Sequence, residues 1–217
     1  MTDLTTIQQI AVMALPVLLA ITVHEAAHGY AARKFGDNTA MMLGRLSLNP
    51  LKHIDPVGTV LVPVVVYLTT GFLFGWAKPV PVNFRNLRNP RRDMALVAAA
   101  GPGANLLMAI AWVVIIKLGL LVGDTAPWVT LPLIYMGGFG LLINVILMVL
   151  NMLPILPLDG GRVLSPMLPP RLSVYYARLE PYGLYIILGL LVTGLLGQII
   201  WPIVQVVQDL LRGLVGL

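Results

Sequence analysis

His24-Glu25-Ala26-Ala27-His28 interrupts a stretch in which nearly every other residue is apolar, and its reading decides what kind of molecule this is. Ahead of it, residues 7–23 run Ile-Gln-Gln-Ile-Ala-Val-Met-Ala-Leu-Pro-Val-Leu-Leu-Ala-Ile-Thr-Val. Ionisable groups in such surroundings cost at least a few kcal/mol, so a functional reason is the default. On a helix, positions i and i+4 return to one face about 6 Å apart along the axis. His24 and His28 are thereby placed to grip one metal ion, with Glu25 on the adjacent face beside any metal-bound water.

The bulk composition agrees with a membrane setting. Of 217 residues, 58% are hydrophobic and 11% charged, against about 25% charged in soluble domains. A bilayer-spanning helix needs about 20 apolar residues, and several such runs are present. The expected fold is an all-α, polytopic bundle of about four to six membrane segments, with short extended or β segments in its loops. No polar stretch is long enough for a separate soluble domain, so residues 1–217 read as one domain. Its core covers about 7–165, and a C-terminal helical region about 182–211. The first apolar run lacks a basic flank, Asp3 being the only charge before it, and reads as a permanent helix rather than a secretory signal. The absence of cysteine excludes disulfides and thiolate metal sites. A net charge of +5, scattered among apolar segments, argues for basic loops and against nucleic-acid binding.

Five apolar segments organise the chain: A (7–35), B (57–76), C (94–122), D (128–153) and E (182–211). Residues 39–49 look like a short extended piece before the Asn49-Pro50 turn. In Lys78-Pro79-Val80-Pro81-Val82-Asn83 the two prolines forbid helix and suggest a strand edge, one suited to accept a substrate strand. Gly58, Pro63, Gly71 and Gly75 permit a re-entrant path for B, while Gly197 and Pro202 mark where E would kink or divide. Lys and Arg number four in residues 33–52, five in 77–93, three in 158–181, and none in 123–127. By the positive-inside rule the three basic stretches face the cytoplasm. The expected protein is multi-pass in the cell membrane, a bacterial inner or plasma membrane, with its site toward the cytoplasm. It crosses four times, or five if E divides.

Two histidines do not complete a catalytic zinc site, which takes three protein ligands and an open position. The third ligand is then His53, the one other histidine, or a carboxylate. Asp159 is favoured, because it follows segment D directly in a Pro-Leu-Asp-Gly-Gly turn and the topology puts the ends of A and D on one side. His53, between Asn49-Pro50 and Asp55-Pro56, reads better as a structural or supporting hydrogen-bonder.

His24-Glu25-Ala26-Ala27-His28 together with Asn151-Met152-Leu153-Pro154-Ile155-Leu156-Pro157-Leu158-Asp159-Gly160 resembles the site-2 protease family of intramembrane zinc metalloproteases (peptidase family M50). Residues 44–58, 75–83 and 100–105 resemble a bacterial subgroup of it without a PDZ domain. The resemblance covers roughly residues 20–165. It implies one Zn2+ held by His24, His28 and Asp159, Glu25 as catalytic base, and transmembrane or membrane-proximal segments of other proteins as substrate. It also implies that Asn105 and Asn151 lie near the substrate, with one or the other placed to hold an oxyanion. Unlike many members, the chain shows no apolar helix ahead of segment A, and it carries segment B between the two motifs. The rival expectations are an inactive membrane scaffold or sensor of the same fold, and an ion-pathway protein.

Overall fold

The computed structural model describes residues 5–62, 64, 65, 68 and 75–217. It is an all-α membrane protein, and no strand forms among the described residues. Helix α1 (Thr6–Lys34) starts in a reciprocal cap, in which Thr5 and Gln8 each satisfy the other's main-chain N–H. It continues through Pro16, ends on Arg33 and Lys34, where cations suit the helix dipole, and turns off at Gly36, whose φ is 115°. Helices α3 (Pro90–Val122) and α4 (Pro127–Asn151) both open on proline, which has no N–H to leave unsatisfied there. These three helices are long and apolar enough to cross a membrane.

The three pack as an antiparallel set, with α1 and α4 running the same way. Residues 24 and 28 of α1 meet residues 105 and 97 of α3, and residue 105 meets residue 144 of α4. Gly137 and Gly140 of α4 let the Trp112 ring and its main chain come close, since a Cβ at Gly140 would sit 2.4 Å from the indole. In lipid, such close packing and hydrogen bonding replace the hydrophobic drive that assembles soluble cores. Leu107, Leu121 and Trp128 accordingly remain exposed on the outside of the bundle.

The short helices follow. Helix α2 (Thr39–Met42) is a single turn, so the extended piece expected at 39–49 begins as helix. A local contact favours it: the Asp37 carboxylate accepts the N–H of Thr39, the first residue of the turn, at 3.1 Å. Helices α5 (Asp159–Leu164) and α6 (Pro170–Ala177) occupy the polar region after α4. Segment E divides into α7 (Gly183–Val192) and α8 (Leu195–Leu214). The break lies at Gly194 (φ 75°), not at Gly197 or Pro202. Only glycine enters the left-handed region cheaply, whereas Pro202 forfeits one hydrogen bond and stays within α8. The stretch Pro170–Val192 and helix α8 meet at 83°, and as one broken span they bring the candidate crossings to four.

The expected strand edge at 78–83 is an irregular strap instead. Its N–H groups at Lys78, Val80 and Asn83 bond to His53 O, Glu25 Oε2 and Asp37 Oδ2 rather than to a neighbouring strand. Segment B begins as a π-helical turn (Pro56–Leu61) capped by Asp55. Its two ends meet, with Trp76 N–H donating to Gly58 O at 2.9 Å. The re-entrant path expected between them lies outside the described residues.

Candidate metal centre

Three side chains from two distant segments converge. His24 Nε2 and His28 Nε2 are 3.0 Å apart and lie 3.2 Å and 3.4 Å from Asp159 Oδ2. The helix repeat of α1 sets the first two. Asp159 arrives because the chain after Asn151 doubles back tightly. A Cβ on Gly160 would sit 2.3 Å from Met152 O, and one on Gly161 2.6 Å from Leu156 N. The Asp-Gly-Gly sequence is therefore what lets the carboxylate return to α1. Gly101 of α3 clears the remaining space, since a Cβ there would lie 2.4 Å from His28 Nε2 and 2.6 Å from His24 Cε1.

The hydrogen bonds behind the imidazoles fix which nitrogen is bare. His28 Nδ1 faces Val97 O at 2.8 Å, and a carbonyl only accepts, so Nδ1 carries the proton. His24 Nδ1 likewise faces Asn105 Oδ1 at 2.5 Å. The amide of Asn105 is oriented by donating Nδ2–H to Ala20 O at 3.3 Å and to Asn144 Oδ1 at 3.0 Å. With Nδ1 carrying the proton, each ring in its neutral form presents a lone pair at Nε2. Asp159 Oδ2 is buried with no hydrogen-bond donor among the described residues. Two neutral imidazole nitrogens and a carboxylate oxygen, all within 4.8 Å of one another, fit a divalent cation such as zinc. Without a cation, three electron-rich atoms would face one another in a poorly solvated place.

Glu25, the next residue on α1, meets the strap, where its Oε2 accepts the Val80 N–H at 2.8 Å. Pro79 and Pro81 have no N–H, so Val80 presents the one donor of the Pro-Val-Pro stretch to Glu25. Little of that edge is left for an incoming strand to pair with. Val80 is buried against α1, where a Cβ on Gly29 would come within 3.0 Å of its Cγ1. The strap is tied down at its far end by Asp37, which accepts from Asn83 N–H, Thr39 and the Asn86 amide. Burial alone would push the Asp37 carboxyl up, but these bonds hold it below its ordinary value.

The other residues singled out from the sequence fall elsewhere. Asn105 is fully buried, and its oxygen and both amide hydrogens are taken by protein groups. This departs from the substrate or oxyanion role expected of it, because no donor remains to face a substrate. Asn151 donates to Leu147 O of its own helix at 2.9 Å. His53 lies outside the cluster; its Nε2 is 2.8 Å from Ser47 O, and its carbonyl receives the Lys78 N–H. It supports the strap's starting point, not the cluster. Asn144, which the sequence reading passed over, is fully buried and joins Asn105. A lone amide in an apolar run, four residues after Gly140, was its only trace.

Comparison with known proteins places relatives beside this geometry. "Putative zinc metalloprotease YwhC" of Bacillus subtilis is 36% identical over 198 residues, covering 91% of this chain and 87% of that protein. "Putative zinc metalloprotease Rip2" of Mycolicibacterium smegmatis is 32% identical over 185 residues, 83% of this chain and 66% of the relative. The Rip2 protein of Mycobacterium tuberculosis H37Rv is 26% identical over 193 residues. No family model and no solved structure matches the chain.

Proposed function

Because the chain belongs to the zinc metalloprotease family that includes YwhC and Rip2, we propose that it is an intramembrane zinc endopeptidase of the site-2 type. It hydrolyses peptide bonds in or near transmembrane segments of other membrane proteins. The observation that carries this reading is the meeting of two bare imidazole nitrogens with the Asp159 carboxylate inside apolar helices. His24 lies about 15 Å along α1 from its basic end, at 1.5 Å per residue. The cluster is thus below the level of Arg33 and Lys34, within reach of water from that side. With those basic ends in the cytoplasm of a bacterial cell, the site opens toward the cytoplasmic face of the cell membrane.

In this reading His24, His28 and Asp159 hold one Zn2+, and Glu25 is the catalytic base. Zinc, when bound, supplies a Lewis acid that lowers the pKa of the water it holds toward about 7. Glu25 takes the proton of the attacking water and returns it to the leaving amine nitrogen. The Val80 N–H holds one oxygen of that carboxylate and leaves the other for the proton. The peptide bonds of a transmembrane helix are hidden by their own hydrogen bonds, so the substrate unwinds locally before cleavage.

The test is a comparison of membrane proteomes from cells carrying wild type and Glu25→Gln. Membrane proteins that accumulate at full length in the mutant, and are cut by purified wild type in detergent, are the expected result. Identical proteomes, with no cleavage by purified zinc-loaded protein, would leave a scaffold.

A further inference from the structure

We propose that Asn144 is a positioning residue for His24, acting through Asn105 to fix the imidazole tautomer and ring angle on which zinc affinity depends. The inference rests on the metal reading above and concerns a residue that touches none of the three ligands.

The chain of contacts has a fixed direction because it starts at a group that can only accept. Gly140 O takes a hydrogen from Asn144 Nδ2 at 2.8 Å, which turns the Asn144 oxygen toward α3. Only the nitrogen end of Asn105 can meet that oxygen, and it does so at 3.0 Å. A second main-chain carbonyl, Ala20 O on α1, takes the other Asn105 hydrogen at 3.3 Å. Two carbonyls on two different helices thus demand the same orientation of one amide. The Asn105 oxygen is left facing His24 Nδ1, which must then carry its proton there. Reversing the Asn105 amide would set nitrogen against nitrogen at His24 and oxygen against oxygen at Asn144.

The two histidines differ in what sets them. His28 is held directly by the main-chain carbonyl of Val97, a partner no side chain controls. His24 depends on a relay of two side chains, both 0% exposed. Partners behind a metal-bound imidazole typically govern affinity by about 10–100-fold. If Asn144 only fastened α4 to α3, its loss would affect the fold and leave the metal affinity unchanged.

The decisive experiment is a double-mutant cycle on zinc affinity, measured by chelator competition on the purified full chain in detergent. The variants are Asn144→Ser, Asn105→Ala and the pair. Serine can bond to Gly140 O from within its own helix but is too short to reach Asn105, so it cuts only the link. Asn144→Ser is expected to weaken zinc binding by about 10-fold and Asn105→Ala by about 10–100-fold. The double variant should match Asn105→Ala alone, because the relay is already broken. The visible spectrum of the cobalt-loaded protein should shift in Asn144→Ser and not shift further in the double variant relative to Asn105→Ala. Wild-type affinity in Asn144→Ser, or an equal loss in the Asn105→Ala background, overturns the relay. Should Asn144→Ser not fold, Asn144→Ala carries the same expectations and the same refutation. A wild-type chain that takes up no zinc at all removes the metal reading, and the relay with it.

Discussion

Behind His24 stands a packed wall in which Asn105 and Asn144 give each polar atom a partner from inside the bundle. Over the next residue, Glu25, lies an irregular strap that offers one main-chain N–H. Consecutive residues are thus held in opposite ways, one by buried side chains on long helices and the other by a loop at the bundle's end. The difference follows from what each has to do in the proposed reaction. A ligand serves by staying put, so a rigid, fully satisfied setting suits it. A base must meet water and substrate, so it sits where a loop, not a helix wall, is its neighbour.

The sharpest way to separate the two regions is Glu25→Gln. Cleavage should fall by about 10²–10⁴-fold while bound zinc, measured by mass spectrometry of the elements, stays at the wild-type amount. Loss of zinc in this variant would mean that wall and strap are not separable. Gly101→Ala strikes the wall alone, because its methyl would stand 2.4 Å from His28 Nε2. Zinc binding is expected to weaken at least about 10-fold, comparable to removing a supporting partner, and excess zinc should restore part of the activity.

On the strap side, Val80→Pro removes the N–H that Glu25 accepts. A hydrogen bond to a charged group is worth about 1.5–3 kcal/mol, so activity should drop about 10-fold or more with zinc affinity unchanged. Val80→Ala keeps the N–H and should lose less. The smallest effect is expected at the strap's anchor. Because the folded-state pKa of Asp37 lies below the ordinary value, its contribution is fully present above about pH 4, the unfolded value. It is lost as pH falls through the lower folded value. Asp37→Asn should cost about 1 kcal/mol at neutral pH and flatten this part of the acid transition, as read by thermal unfolding across pH.

How much was legible in the sequence follows the same division. The His24–His28 pair could be read because a single helix repeat fixes it. Asp159 was readable only in company: alone it would read first as a helix N-cap, but beside the His24–His28 pair, with the ends of segments A and D on one side, it reads as the third ligand. The facing of Asn105 was not readable: a sequence does not say which side of a helix looks at the cleft and which at its neighbour. Asn144 was missed because an amide in an apolar helix carries no mark that distinguishes fastening from positioning. The strap looked like a strand edge since Pro79 and Pro81 exclude helix. What consumed its donors were a side chain on α1, the His53 carbonyl and Asp37, all contacts far apart in sequence. The break at Gly194 was misplaced for a similar reason: three helix breakers lie within nine residues, and only the fold selects among them.

The central claim is that one zinc ion is shared by α1 and the segment that doubles back after α4. X-ray absorption of the zinc-loaded Glu25→Gln protein tests it most directly. The expected spectrum shows two imidazole nitrogens at about 2.0–2.1 Å and carboxylate or water oxygen at about 2.0–2.2 Å, with the imidazole signal lost in a variant lacking His24 and His28. Zinc with an unchanged shell in that variant, or with an unchanged affinity in Asp159→Ala, would contradict the account.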